Sequence, residues 1–108
     1  SLEKIKECGR KLLERGAQNV LVSLGEKGAI LFTPTETIQV TAPKGEVVNT
    51  ACAGDTLLAT FVGSKLQGLS DEEALIKAVA AGSSTAFRPG LTDFSDVPTL
   101  MQQIKRVS

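Results

Sequence analysis

Residues Asn19-Val-Leu-Val-Ser-Leu24 form a nearly unbroken apolar run of strand length. Such a strand has no polar face to turn to water, so it fits a strand buried on both faces, as in a parallel sheet between helices. That run argues for a layered α/β domain, and 108 residues allow one such domain at most. The only aromatic residues are four Phe, so the core must be aliphatic and rich in alanine. Twelve Lys plus Arg balance twelve Asp plus Glu, which leaves no basic excess for nucleic acid or an anionic membrane. There is no His, which removes the commonest general base at neutral pH and the commonest zinc ligand. Cys8 and Cys52 stand far apart with no CxxC pair and suggest no disulfide framework. No leader-like segment or apolar span of about eighteen residues occurs. The expectation is a soluble, cytoplasmic chain.

Around the run, periodicity supplies the other elements. Leu2, Ile5, Cys8, Leu12 and Leu13 recur at helical spacing, which puts Cys8 on the apolar stripe of a helix that Gly16 closes. Gly25 to Gly28 reads as a turn, Ala29 to Thr33 as a returning strand, and Thr37 to Thr41 as an alternating edge strand. Gly45 ends a loop, and Glu46-Val-Val48 reads as a further short strand. Leu57, Leu58, Phe61, Val62 and Leu66 predict a helix stopped by Gly68. Ser70-Asp-Glu-Glu73 is a capping box that opens a long helix with a small-residue face through Ala81, Gly82 and Ser83. Arg88-Pro-Gly90 breaks that helix. A last one is capped by Ser95 or Asp96, carries Pro98 in its first turn and has an apolar face reaching Ile104. The order is helix, strand, hairpin, strand, then three helices, a piece of a layered α/β fold.

Two stretches can carry chemistry. Asn49-Thr-Ala-Cys-Ala-Gly-Asp55 packs small residues together just ahead of a helix. Successive free backbone N–H groups there, with the helix dipole behind them, suit an anion such as phosphate. A carboxylate in the first turn is favoured by the same dipole and could take a proton from a hydroxyl attacking a γ-phosphate. The same residues also fit an Asp that merely caps a helix, with small neighbours that permit close packing. The second stretch, Ser23-Leu-Gly-Glu-Lys-Gly28, follows the buried strand, where glycines let backbone approach a ligand. It also fits a plain hairpin turn. Cys52 as a nucleophile has no His to activate it.

Together the two stretches resemble the PfkB (ribokinase-like) family of sugar kinases. Asn49 to Thr56 is similar to the family's C-terminal signature, usually Asp-Thr-x-Gly-Ala-Gly-Asp, and Ser23 to Gly28 is similar to its nucleotide loop. Val79 to Phe87, with the Pro-Gly-Leu that follows, resembles the hexose-phosphate branch, the 1-phosphofructokinase-like members above all. The resemblance implies a ribokinase-like α/β/α fold with a mainly parallel sheet, an antiparallel hairpin and three helices after the catalytic loop. It implies that Asp55 is the catalytic base and that Cys52, Ala53 and Gly54 form an anion hole of backbone amides. Ser23, Gly25, Glu26, Lys27 and Gly28, with Val47, Val79, Gly82 and Ser83, would line the ATP. Asn49, Ala51, Thr85, Arg88 and Gly90 fall where some members present oxygens, chiefly backbone carbonyls, to a potassium ion. Asn49 stands where the family usually has Asp, and Cys52 where it usually has Gly.

The resemblance further implies that residues 1–108 are the C-terminal, ATP-binding portion of a longer kinase. The sugar-binding residues, the β-sheet lid and most ligands of the Mg2+ that accompanies ATP would then lie upstream. The implied reaction is phosphoryl transfer from ATP to a sugar phosphate, fructose 1-phosphate to fructose 1,6-bisphosphate. Tagatose 6-phosphate kinase, a ribokinase-type activity and a non-catalytic nucleotide-binding module stand as alternatives. Residues 1–108 alone are expected to be inactive, and their open strand edge to favour pairing into a homodimer.

Overall fold

The computed structural model describes residues 2–48, 53–88 and 92–107. Helix α1 (Leu2–Glu14) leads through Gly16, at φ +104°, into strand β1 (Val20–Ser23). Strands β2 (Ala29–Phe32) and β3 (Thr37–Val40) follow as a meander, then helices α2 (Ala53–Leu66), α3 (Asp71–Ala86) and α4 (Val97–Gln102). A two-residue strand β4 (Arg106–Val107), not foreseen in the sequence, returns to β3.

The sheet runs β1-β2-β3-β4, and all three pairings are antiparallel. The parallel arrangement expected for the apolar run is therefore not found within the described residues. The connections explain it: Leu24–Gly28 and Thr33–Glu36 are hairpin-length, whereas a parallel pair needs a crossover of about a dozen residues. The apolar character has another cause, helices on both faces of the sheet. On one face Ala29, Leu31, Ile38 and Val40 join Leu57, Phe61, Leu75, Ala78 and Val79 in the main core. On the other, α1 rests on β2 so closely that a Cβ on Gly9 would come within 2.5 Å of the Phe32 ring. All four β2 residues are fully buried. The α/β/α layering expected from the sequence is the layering observed.

Three local expectations change. Glu46-Val-Val48 forms no strand, and Val47 and Val48 are exposed; among the described residues no neighbouring strand offers them a ladder. The last helix stops at Gln102, two residues short of Ile104, because the chain straightens to join β3: Thr41 N–H donates to the Lys105 carbonyl at 2.9 Å. Cys8 is exposed rather than core. It lies with Ile5, Leu12, Val20 and Val22 along an apolar groove of about 270 Å3 between α1 and β1. Helix α2 is also apolar on two sides, burying Leu57 and Phe61 while exposing Leu58, Val62 and Leu66. Among the described residues no helix is long and apolar enough to cross a membrane.

The helix signals act as read. Ser70 Oγ accepts the Glu73 N–H at 3.2 Å, the first half of the capping box. Gly68, at φ +93°, ends the α2 turn, and Lys65 pairs with Asp71 at 2.7 Å across the bend into α3.

Candidate active site

The first wall of the site comes from the β1–β2 hairpin. Gly25–Lys27 form one 3-10 turn rather than a simple two-residue reversal, closed by Leu24 N–H donating to the Gly28 carbonyl at 2.8 Å. Gly28 sits at φ 102°, ψ −135°, a conformation only glycine adopts readily. A Cβ there would also collide with the Val40 carbonyl and the Thr41 backbone. Its smallness is thus fixed twice, by conformation and by contact with β3. Ser23 Oγ accepts the Gly25 N–H at 3.4 Å and helps shape the turn.

The second wall is where α2 meets α3. Ala53 and Gly54 open α2 and line the site, while Asp55 occupies the same first turn, exposed to solvent. Gly82 lets α3 approach: a Cβ there would lie 3.2 Å from the Ala53 carbonyl. Its absent side chain therefore serves helix packing as well as access. Thr85 Oγ lies 3.2 Å from the Ala81 carbonyl and 3.3 Å from Thr56 Oγ, which ties α3 to the turn that carries Asp55.

Between these walls lies a cleft of about 790 Å3, large enough for a nucleotide. Ser23, Gly25, Glu26, Lys27 and Gly28 contribute one side; Val79, Gly82 and Ser83 contribute another, with Ala53, Gly54 and Val47 also on its surface. These residues are far apart in sequence, and the fold brings them to one cavity. The sequence reading missed the loop after β3, where Ala42, Pro43, Lys44 and Gly45 join the lining, and also Leu57, Ala86 and Phe87. Pro43-Lys-Gly45 was the available signal, a Pro/Gly-marked segment following a strand, as the β1–β2 turn does. Asn49, Ala51, Cys52 and Gly90 lie outside the described residues.

The carboxyl end of α3 is fastened from α4. Ser84, fully buried, donates through Oγ to Asp96 Oδ1 at 2.6 Å and lies 2.7 Å from Thr92 Oγ. Arg88 pairs with the other Asp96 oxygen at 3.0 Å. The Ser84 hydroxyl first, and then the Arg88 guanidinium, hold the Asp96 carboxyl below its usual range. Asp96 was read as a helix cap, yet its side chain makes no cap hydrogen bond and serves this network instead. Arg88 Nε is buried with no partner among the described residues. Of the five residues considered for potassium, the two described ones, Thr85 and Arg88, have their side chains engaged in these contacts.

The chain is similar in sequence to known sugar-phosphate kinases. The D-tagatose-1-phosphate kinase of Bacillus licheniformis is 51% identical over 105 residues, which cover 97% of this chain and 34% of that protein. The 1-phosphofructokinase of Bacillus subtilis is 38% identical over 105 residues, covering 97% and 35%. Among solved structures, Arabidopsis thaliana ribokinase complexed with ribose and ATP superposes with a TM-score of 0.83 at 36% identity, over 94% of this chain and 35% of that one. The chain spans about a third of the length of the curated relatives it matches. The model of the pfkB family carbohydrate kinases matches residues 1–100, and the chain belongs to that family.

Proposed function

We propose that this chain supplies the nucleotide-holding walls and the catalytic base of an ATP-dependent kinase whose acceptor is a ketohexose 1-phosphate. The observation that carries the reading is the single cleft joining the glycine turn of the β1–β2 hairpin to the first turn of α2, with Asp55 in that turn. In the reaction an acceptor hydroxyl attacks the γ-phosphorus of ATP. The bond from that phosphorus to the β,γ-bridging oxygen breaks, ADP leaves with the electron pair, and the hydroxyl proton passes to the Asp55 carboxylate. Backbone N–H groups of the opening turn, Ala53 and Gly54 among them, stabilise the charge that develops on the transferred group. Lys27 and Lys44, both exposed on the cleft wall, add positive charge near the phosphates. This chemistry is positioning and electrostatics, which asks for no His from these residues.

Both relatives, by name, support a 1-phosphorylated ketose. The greater identity to the tagatose 1-phosphate enzyme favours tagatose 1-phosphate beside the fructose 1-phosphate expected from the sequence. The test is a kinetic panel of fructose 1-phosphate, tagatose 1-phosphate, tagatose 6-phosphate and ribose, run on the intact kinase that contains these residues, as wild type and as Asp55→Asn. Turnover on a ketose 1-phosphate, reduced about 10²-fold or more by Asp55→Asn with ATP affinity retained, is the expected result. ATP binding without turnover on any acceptor would instead make the protein a nucleotide-binding module.

A further inference from the structure

The segment 42–48 forms one wall of the cleft, yet it belongs to no helix or strand, and Lys44 to Val48 are exposed. A wall with no hydrogen-bond ladder of its own must be held from outside. Two contacts with the end of α3 do this. Val48 N–H donates to the Ala86 carbonyl at 2.8 Å, and the Phe87 ring lies against Gly45. A Cβ built on Gly45 would come within 2.5, 2.6 and 2.8 Å of three carbons of that ring. Gly45 is not in the left-handed region, unlike Gly25 and Gly28. Its lack of a side chain therefore provides room for the ring, not conformational freedom.

We infer that Phe87 seated on Gly45 is the catch that holds the 42–48 loop in place, and that nucleotide affinity depends on it. Phe87 is suited to the task because it caps α3, its N–H donating to the Ser83 carbonyl at 2.9 Å. The adjoining Ser84–Asp96–Arg88 network fixes the end of that helix from the other side. The ring is thus mounted on a braced post and the glycine on a loop with no hydrogen-bond ladder of its own. Phe87 is a positioning residue here: it orders Lys44 and Val47 on the cleft wall. The inference rests on the nucleotide reading of the cleft.

A double-mutant cycle tests it, with ATP affinity measured by calorimetry and folding followed by thermal unfolding. Gly45→Ala is expected to weaken ATP about tenfold or more, because its methyl group drives loop and ring apart. In a Phe87→Ala background the same change should cost less than about threefold, since the collision is gone. Equal losses in both backgrounds, or wild-type affinity in Gly45→Ala, would overturn the inference. Should Gly45→Ala not fold, Phe87→Leu replaces it: weakened binding is expected from this variant, and wild-type binding overturns the catch. If wild type itself binds no ATP, the nucleotide reading falls and the inference falls with it. Binding that is indifferent to all the variants removes the inference alone.

Discussion

β1 and β2 lie side by side and are similar in composition, Val-Leu-Val-Ser against Ala-Ile-Leu-Phe, yet they live in different surroundings. β2 has a strand on each side and helices on both faces, and all four of its residues are fully buried. β1 is paired on one side only among the described residues. Its side chains are half-buried or exposed, and its α1 face opens into the groove that contains Cys8. An apolar run thus reports that a strand is built to be covered; it does not report how many neighbours cover it. Position in the sheet decides that, and position depends on partners distant in sequence.

The sharpest way to break this comparison uses residues paired across the two strands, Val22 and Ile30, which share one face. Ile30→Ala should destabilise by about 2–5 kcal/mol, and Val22→Ala by less than about 1.5 kcal/mol, in chemical denaturation. Equal costs would mean that the β1 face is as well covered as β2. Next in size is Gly9→Ala. The methyl group would meet the Phe32 ring, so a loss of about 1–3 kcal/mol is expected. A neutral result would show that α1 can slide towards the groove, and that β2 is less tightly roofed than its burial suggests.

The smallest effect concerns the other side of the sheet, where α3 covers the core and Asp96 ties α4 to it. Because the folded-state pKa of Asp96 lies below the ordinary 3.8, its contribution is present above that value. It is lost as pH falls from about 4 through the folded pKa. Asp96→Asn should therefore cost about 1 kcal/mol near neutrality, with allowance for its partial exposure, and flatten the acid limb of melting temperature against pH. An acid limb identical to that of wild type would remove Asp96 from the account of α4 docking.

Most of the fold was legible because its signals are local. The stripe from Leu2 to Leu13, the turn glycines at 16 and 68, and the Ser70–Glu73 capping box each act within a few residues. What escaped was non-local. Cys8 falls on the apolar stripe, but it is exposed in the groove between α1 and β1, and how far the two elements close on each other is not a local signal. Arg106-Val107 becomes a strand only because β3 offers an edge, and Val47-Val48 stays irregular because no strand among the described residues pairs with it. For the candidate site, the glycine turn and the start of α2 could be read from spacing and resemblance. The 42–45 wall could not: Gly45 shows its purpose only when Phe87 is seen above it.

The pairing of β4 with β3 also bears on how the molecule is made. Thr41 and Lys105 exchange hydrogen bonds across a separation of 64 residues, and Arg106 reaches both Glu36 and Glu72. A chain emerging from the ribosome will have completed the β1–β2–β3 meander, and even α2 and α3, while one margin of that meander is still unfilled. Closing so long a loop is slow compared with forming a hairpin. The late interval of synthesis, before residue 107 appears, is therefore when β3 is open to misplaced partners. Its brevity is set by translation speed rather than by anything in the folded state.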